Sequence, residues 1–238
     1  MGVRVVSSAV LRRAAFCTPG IARAAQAVAG DFSASLVAAS NDAEHGLTRS
    51  LGRPMARAQV GWYGHEGASL RISATTHNLN PGPRPPHEIA AYARQSWRIR
   101  ESWRFGATLA HCDLGSEPSP AFSNDYTEFK LSAEWRNLIK IEVAYSPHCS
   151  LFSSHGAASE RRALSHRGSI SVPATRRLTL VGAVGHYDLR DLFGTGYWFW
   201  SGRIEFVGSE TSIALTLIDS DGTAQHLFDD RYAGRRTS

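Results

Sequence analysis

The chain has 238 residues, of which 42% are hydrophobic and 20% charged, with a formal net charge of +5 and a mean hydropathy of -0.24. That length suffices for one or two soluble cores or for a single closed barrel, and no apolar run approaches the roughly 18 to 20 residues of a membrane-spanning helix. A helical membrane protein is thereby excluded, whereas membrane strands, about 9 to 11 residues long with every second residue apolar, leave averaged hydropathy unchanged.

Residues 1–30 carry Arg4, Arg12, Arg13 and Arg23, contain no acid, and run into the small-residue triplets ARA and AQA. This pattern predicts a secretory signal peptide over residues 1–27, cleaved near Ala24 or Ala27, followed by one domain over 28–238. Removing it takes away four positive charges and brings the net charge to about +1, so the basic pI is no argument for a nucleic-acid partner. The Arg12-Arg13 pair with Phe16 is imperfectly spaced for a twin-arginine signal, and Cys17 follows the bulky Phe16 rather than the small residue of a lipoprotein site. Two further cysteines, Cys112 and Cys149, lack the CxxC spacing of a zinc site; isolated thiols near loop ends are expected, with a disulfide as the alternative.

From residue 31 onward the apolar residues alternate with polar ones. Phe32, Leu36 and Ala38 share one parity in 31–40; Val60 and Trp62 oppose Arg57 and Gln59 in 56–64; Leu70, Ile72 and Ala74 oppose Arg71, Ser73 and Thr75 in 67–77. The stretch 88–99 is ambiguous, and in 102–112 Trp103, Phe105 and Leu109 oppose Arg104 and Thr108. Across 125–146, Phe129, Leu131, Ala133, Trp135, Ile139, Ile141, Val143 and Tyr145 take odd numbers, against Glu128, Lys130, Glu134, Arg136, Lys140 and Glu142 on even ones. At about 100° per residue these charges would scatter around a helix, so period two predicts a hairpin turning at Asn137-Leu138. Strands at 167–173, 177–188, 197–207 and 210–220 complete a set of eleven, with no convincing helix.

The connections alternate in length. Residues 41–55, 78–87, 113–124, 147–164 and 189–196 are long and polar, while His65-Glu66, Arg100-Glu101, Asn137-Leu138, 174–176 and Gly208-Ser209 are tight. In an up-and-down meander every long loop then falls on one rim and every tight turn on the other, as in outer-membrane barrels. Trp62, Trp97, Trp103, Trp135 and Phe206 flank the tight turns, and Tyr126, Tyr145, Tyr187 and Trp198 flank the long loops, as two aromatic girdles would. PGPRPP (81–86) reads as a stiffened loop.

Between about residues 31 and 220 the chain resembles the TorF-type family of outer-membrane porins. The passages concerned are LVAASNDAEHGLTRS (36–50), DYTEFKLSAEWRNLIKIEVAYSP (125–147), GAVGHYDL (182–189), YWFWSGRIEF (197–206) and SIALTLIDSDG (212–222). The resemblance implies an outer-membrane barrel with a pore role, and it brings no catalytic residues. Two departures stand out: Ala43 and His45-Gly46 replace the aromatic and Arg-Gly pair of the family's first long loop, and the chain stops at FDDRYAGRRTS without a final strand ending in an aromatic residue. The expected fold is therefore all-β, an up-and-down antiparallel transmembrane β-barrel of about twelve strands whose last strand is cut short.

In that fold the face away from lipid carries Arg57, Arg71, Arg104, Lys130, Arg136, Lys140 and Arg203 against Glu128, Glu134, Glu142 and Glu205. If wet, this lumen favours anions; if the charges pair across strands, they plug it. There is no GxSxG and no HExxH. His186, Asp188 and Asp191 at one strand end, and His148, Cys149 and His155 in one loop, are weak candidates for catalysis and metal binding, and GTGYWF (194–199) lacks the third glycine of a dinucleotide fingerprint. The expectation is a non-enzymatic diffusion pore without cofactors, in a Gram-negative outer membrane, whose partners are outer-membrane lipid and small polar or anionic solutes and not nucleic acid. A closed structural or adhesive barrel and a soluble secreted ligand-binding barrel are the alternatives.

Overall fold

Period-two alternation needs a backbone whose successive side chains point to opposite faces, and the chain adopts that backbone almost throughout. The computed structural model describes residues 2–12, 30–40, 43–44, 47–48, 54–76, 87–115, 126–149, 162–208 and 211–223. Its strands are β1 (Gly2–Arg12), β2 (Gly30–Ala39), β3 (Ala43–Glu44), β4 (Leu47–Thr48), β5 (Met55–Gly64), β6 (Ala68–Thr76) and β7 (His87–Ile99). They continue with β8 (Trp103–Gly115), β9 (Tyr126–Trp135), β10 (Ile139–Cys149), β11 (Ala163–Pro173), β12 (Leu178–Leu189), β13 (Thr195–Val207) and β14 (Thr211–Ser220). Among the described residues no helix is long and apolar enough to cross a membrane.

Strand β2 and strands β5 to β14 form one antiparallel up-and-down sheet of eleven strands, each hydrogen-bonded to its neighbour in sequence. All eleven strands expected from alternation are present, including β7 from the ambiguous stretch 88–99. The short strands β3 and β4 make a separate two-stranded hairpin in the first long connection.

A twelfth strand completes the expected count. The ring closes through β1, which pairs antiparallel with β14 from Gly2↔Ile218 to Ala9↔Thr211 and with β2 from Val6↔Ala39 to Arg12↔Ser33. Residues 2–12, which lie within the segment read as a signal peptide, thus pair with β14 on one side and β2 on the other. The physical reason is that an eleven-stranded sheet has two unpaired edges, and VRVVSSAVLR offers an extended segment long enough to satisfy both at once.

The tight turns fall where expected, with shifts of a residue or so. Leu138 N–H donates to the Trp135 carbonyl oxygen at 2.9 Å, and both central residues, Arg136 (φ 50) and Asn137 (φ 58), are left-handed, which makes a type I′ turn matched to the twist of β9 and β10. Glycine 67 (φ 84) closes the β5–β6 turn, where an added Cβ would collide with the Ser96 carbonyl. The connection expected over 189–196 shrinks to one helical turn, Arg190–Phe193, ended by Gly194 at φ 75; GTGYWF is therefore the cap of that turn and the start of β13.

Register sorts the side chains into two sets. Outward lie Phe32 and Leu36, Leu70 and Ile72, Phe129 and Leu131, Ile139 and Ile141, Ile204 and Phe206, and Ile213, Leu215 and Leu217, all exposed. Inward lie small, hydroxyl and charged residues. Cys112 is a buried thiol outside any disulfide; Cys112 and Cys149 both register with Tyr126 from opposite sides, two strand spacings apart, beyond the reach of a disulfide.

Replacing Asn137 with glycine removes the cost of a left-handed non-glycine residue, so Asn137→Gly should stabilise the folded barrel by up to about 1 kcal/mol in urea titration. Deleting residues 2–12 exposes the edges of β2 and β14; the refolded protein should lose its heat-shifted gel mobility, and retention of the shift would mean that β2 and β14 close directly.

Candidate functional site: the lumen

The inward face is defined by cross-strand rows, because directly paired residues project from the same side of the sheet. One row near the tight-turn rim runs Arg98, Arg104, Glu134, Lys140, Ser169. The next runs Ser96, Gly106, Ser132, Glu142, Arg167, and the one above it Ser69, Arg94, Thr108, Lys130, Ala144. Arg57, Thr75 and Glu88 form a row closer to the long loops.

Of the eleven residues expected to line the lumen, ten are on this face: Arg57, Arg71, Arg104, Glu128, Lys130, Glu134, Lys140, Glu142, Arg203 and Glu205. Arg136 is not. The alternation that placed it there ends one residue earlier, at Trp135, and Arg136 lies in the turn with its guanidinium 5.0 Å from the Trp135 ring centroid. Arg94, Arg98, Arg167 and Glu88 are inward residues that the sequence reading missed. Three sit in β7, whose Ala-rich, irregular pattern hid its parity, and Arg167 was taken as the first residue of a strand that in fact begins at Ala163.

The charges are unevenly paired. On β8 to β10 every described base has an acid: Arg104 with Glu134 at 3.7 Å, Lys130 with Glu128 at 3.1 Å and Glu142 at 3.7 Å, and Lys140 donating to Glu142. Arg203 pairs with Glu205 on β13 at 2.9 Å. On the wall of β5 to β7, Arg57 donates through Nε to Thr75 Oγ1 at 2.9 Å, and Arg71 lies over the Tyr92 ring, 5.8 Å from its centroid. The acid that Lys140 meets is Glu142, two residues along its own strand.

Burial divides the lumen lengthwise. Toward the long loops the inward side chains are buried on strand after strand, among them Met55 (0% exposed), Ser73, Thr75, Glu88 (1%), Ala110, Cys112, Ser146, Ser165, Leu189, Tyr197 (0%) and Phe199. Toward the tight turns Arg71, Arg94, Arg104, Lys130, Glu134, Lys140, Arg203 and Glu205 are all only half-buried. Inward side chains are therefore more exposed toward the tight turns than toward the long loops.

The aromatic residues refine the expected girdles. Trp97, Trp103 and Phe206 project outward near the tight turns, Trp103 stacked on Phe105 with ring centroids 6.0 Å apart. Near the long loops Tyr145, Trp198 and Trp200 project outward, whereas Tyr126 and Tyr187 turn inward, Tyr187 meeting Tyr197 edge-on at 5.8 Å. An apolar groove of about 450 Å³ on the outer face has walls of Trp62, Leu70, Leu109, Phe129 and Leu131 over Ala93 and Ala107.

The weak catalytic candidate does not assemble. His186 packs on Trp198 with ring centroids 5.0 Å apart on the outward face, and Asp188 is engaged by Arg190. Of the metal candidates, His155 and the side chains of His148 and Cys149 lie outside the described residues.

Glu142 serves both Lys130 and Lys140, so Glu142→Gln should cost about 1 to 2 kcal/mol in urea titration, discounted for the half-wet setting. Arg94→Gln should be neutral or slightly stabilising in the same titration, because among the described residues no acid pairs with this cation. No protein-family model matches the chain, and no curated protein matches its sequence.

Proposed function

We propose that this chain is an outer-membrane β-barrel of the TorF-type porin kind, through which small polar or anionic solutes diffuse passively. The observation that carries this reading is the division of the sheet's two faces. On the eleven strands β2 and β5 to β14, exposed Leu, Ile, Val, Phe and Trp lie outside, and arginines, lysines, glutamates and hydroxyls lie inside. A soluble protein rarely exposes a contiguous apolar patch beyond a few hundred Å², whereas a barrel in hydrocarbon needs one, and closure leaves no backbone edge for lipid to meet. Outward aromatic residues toward both rims suit the two interfaces. The chemistry of the interior supports charge-selective diffusion: the paired wall of β8 to β10 contributes little net field, and Arg71 and Arg94, with no carboxylate partner among the described residues, give the interior an anion preference.

A second reading, a closed structural barrel acting through its long loops, draws on the buried inward residues at the long-loop end. Under the first reading that end is the barrier a solute must pass, and under the second it is a permanent plug.

The deciding experiment refolds the protein with and without detergent micelles and records conductance across planar bilayers in a potassium chloride gradient. The expected result is a heat-shifted band only with micelles, discrete conductance steps, and a reversal potential of the sign that chloride carries. A heat-shifted barrel without steps supports the closed reading, and a soluble monomer without detergent rejects both. In the same micelles Ile141→Arg should destabilise the barrel by about 2 to 4 kcal/mol if Ile141 lies near the bilayer midplane, while the inward Ser132→Arg should cost far less.

A further inference from the structure

Arg71 and Arg94 are two inward bases on the wall formed by β6 and β7. They are diagonal neighbours, since Arg71 registers with Tyr92 and Arg94 with Ser69 across β6 and β7, which puts their Cβ atoms roughly 7 Å apart. Among the described residues no carboxylate pairs with either, whereas Arg104, Lys130, Lys140 and Arg203 each have one. Two like charges side by side on one face of a sheet repel, and no carboxylate among the described residues pairs with either to offset it. An anion between them would offset it.

We propose that Arg71 and Arg94 form an oxyanion-binding site on the chamber wall, taking a divalent tetrahedral anion of the kind represented by inorganic phosphate. The local shape fits that role. Tyr92 occupies the face of the Arg71 guanidinium and leaves its in-plane N–H donors for an acceptor. Arg94 lies over Gly106, where an added Cβ would stand 3.5 Å from Arg94 Nη2 and 2.8 Å from Ser132 Oγ, so the missing side chain is what gives the guanidinium room. Ser69 and Thr108 flank Arg94 in its own row and bring hydroxyl donors to the same patch. Arginine is the base suited to a tetrahedral oxyanion, because its planar fork donates two parallel hydrogen bonds. Both arginines lie in the half-buried, tight-turn part of the lumen, so an anion entering there meets them before the more buried end. The inference deepens the proposed pore by naming a solute class and rests on that reading only in requiring a water-filled chamber.

The test titrates inorganic phosphate into the refolded barrel in zwitterionic micelles by calorimetry, at fixed ionic strength in chloride, with heat-shifted mobility checking the fold of each variant. Saturable one-to-one binding is expected, weakened about tenfold or more by Arg71→Gln and by Arg94→Gln and less by Arg71→Lys. Absence of saturable binding to the unmodified protein overturns the site, as does binding that both glutamine variants leave unchanged. The parallel conductance record separates the two ideas: phosphate binding without conductance keeps the site and rejects diffusion, and conductance without phosphate binding does the reverse.

Discussion

Everything in this molecule depends on the pairing of sheet edges. A β-strand satisfies its backbone only through neighbours, so an antiparallel meander is complete only when its first and last strands also find partners. Here that partner is β1, set between β14 and β2, and closure makes the strand count even and gives the sheet an inside and an outside. Two-sidedness then turns a one-dimensional alternation into a spatial partition, because each residue's parity decides which side it faces.

The partition explains why the charged residues can be so dense on strands. In the wall of β8 to β10, Glu142 sits within reach of both Lys130 and Lys140, and Glu134 meets Arg104, so cross-strand and same-strand neighbours neutralise one another. Such pairs contribute little individually where water reaches them, and their effect is to cancel field rather than to add stability. On the wall of β6 and β7 no carboxylate among the described residues pairs with Arg71 or Arg94. Burial adds an asymmetry along the axis, with large inward side chains such as Tyr197 and Met55 filling the long-loop end and glycine, serine and threonine leaving room below. A solute in the proposed pore would therefore meet selectivity first and size restriction second.

The sequence by itself determined the strands, their faces and the alternation of long and short connections. Period two is a local property: whichever partners Ile139, Ile141 and Val143 find, they must share a face opposite Lys140 and Glu142. It was weakest where local pattern is weakest, in Ala-rich β7, which hid Arg94, Arg98 and Glu88, and at the β9 end, where one residue of turn geometry moved Arg136 out of the lumen. Tertiary structure alone decided which strand closes the ring, which charges pair and which end of the lumen is more buried. Those outcomes depend on contacts between residues far apart in the chain, as between Gly2 and Ile218 or Lys130 and Glu142, and no local spacing encodes them.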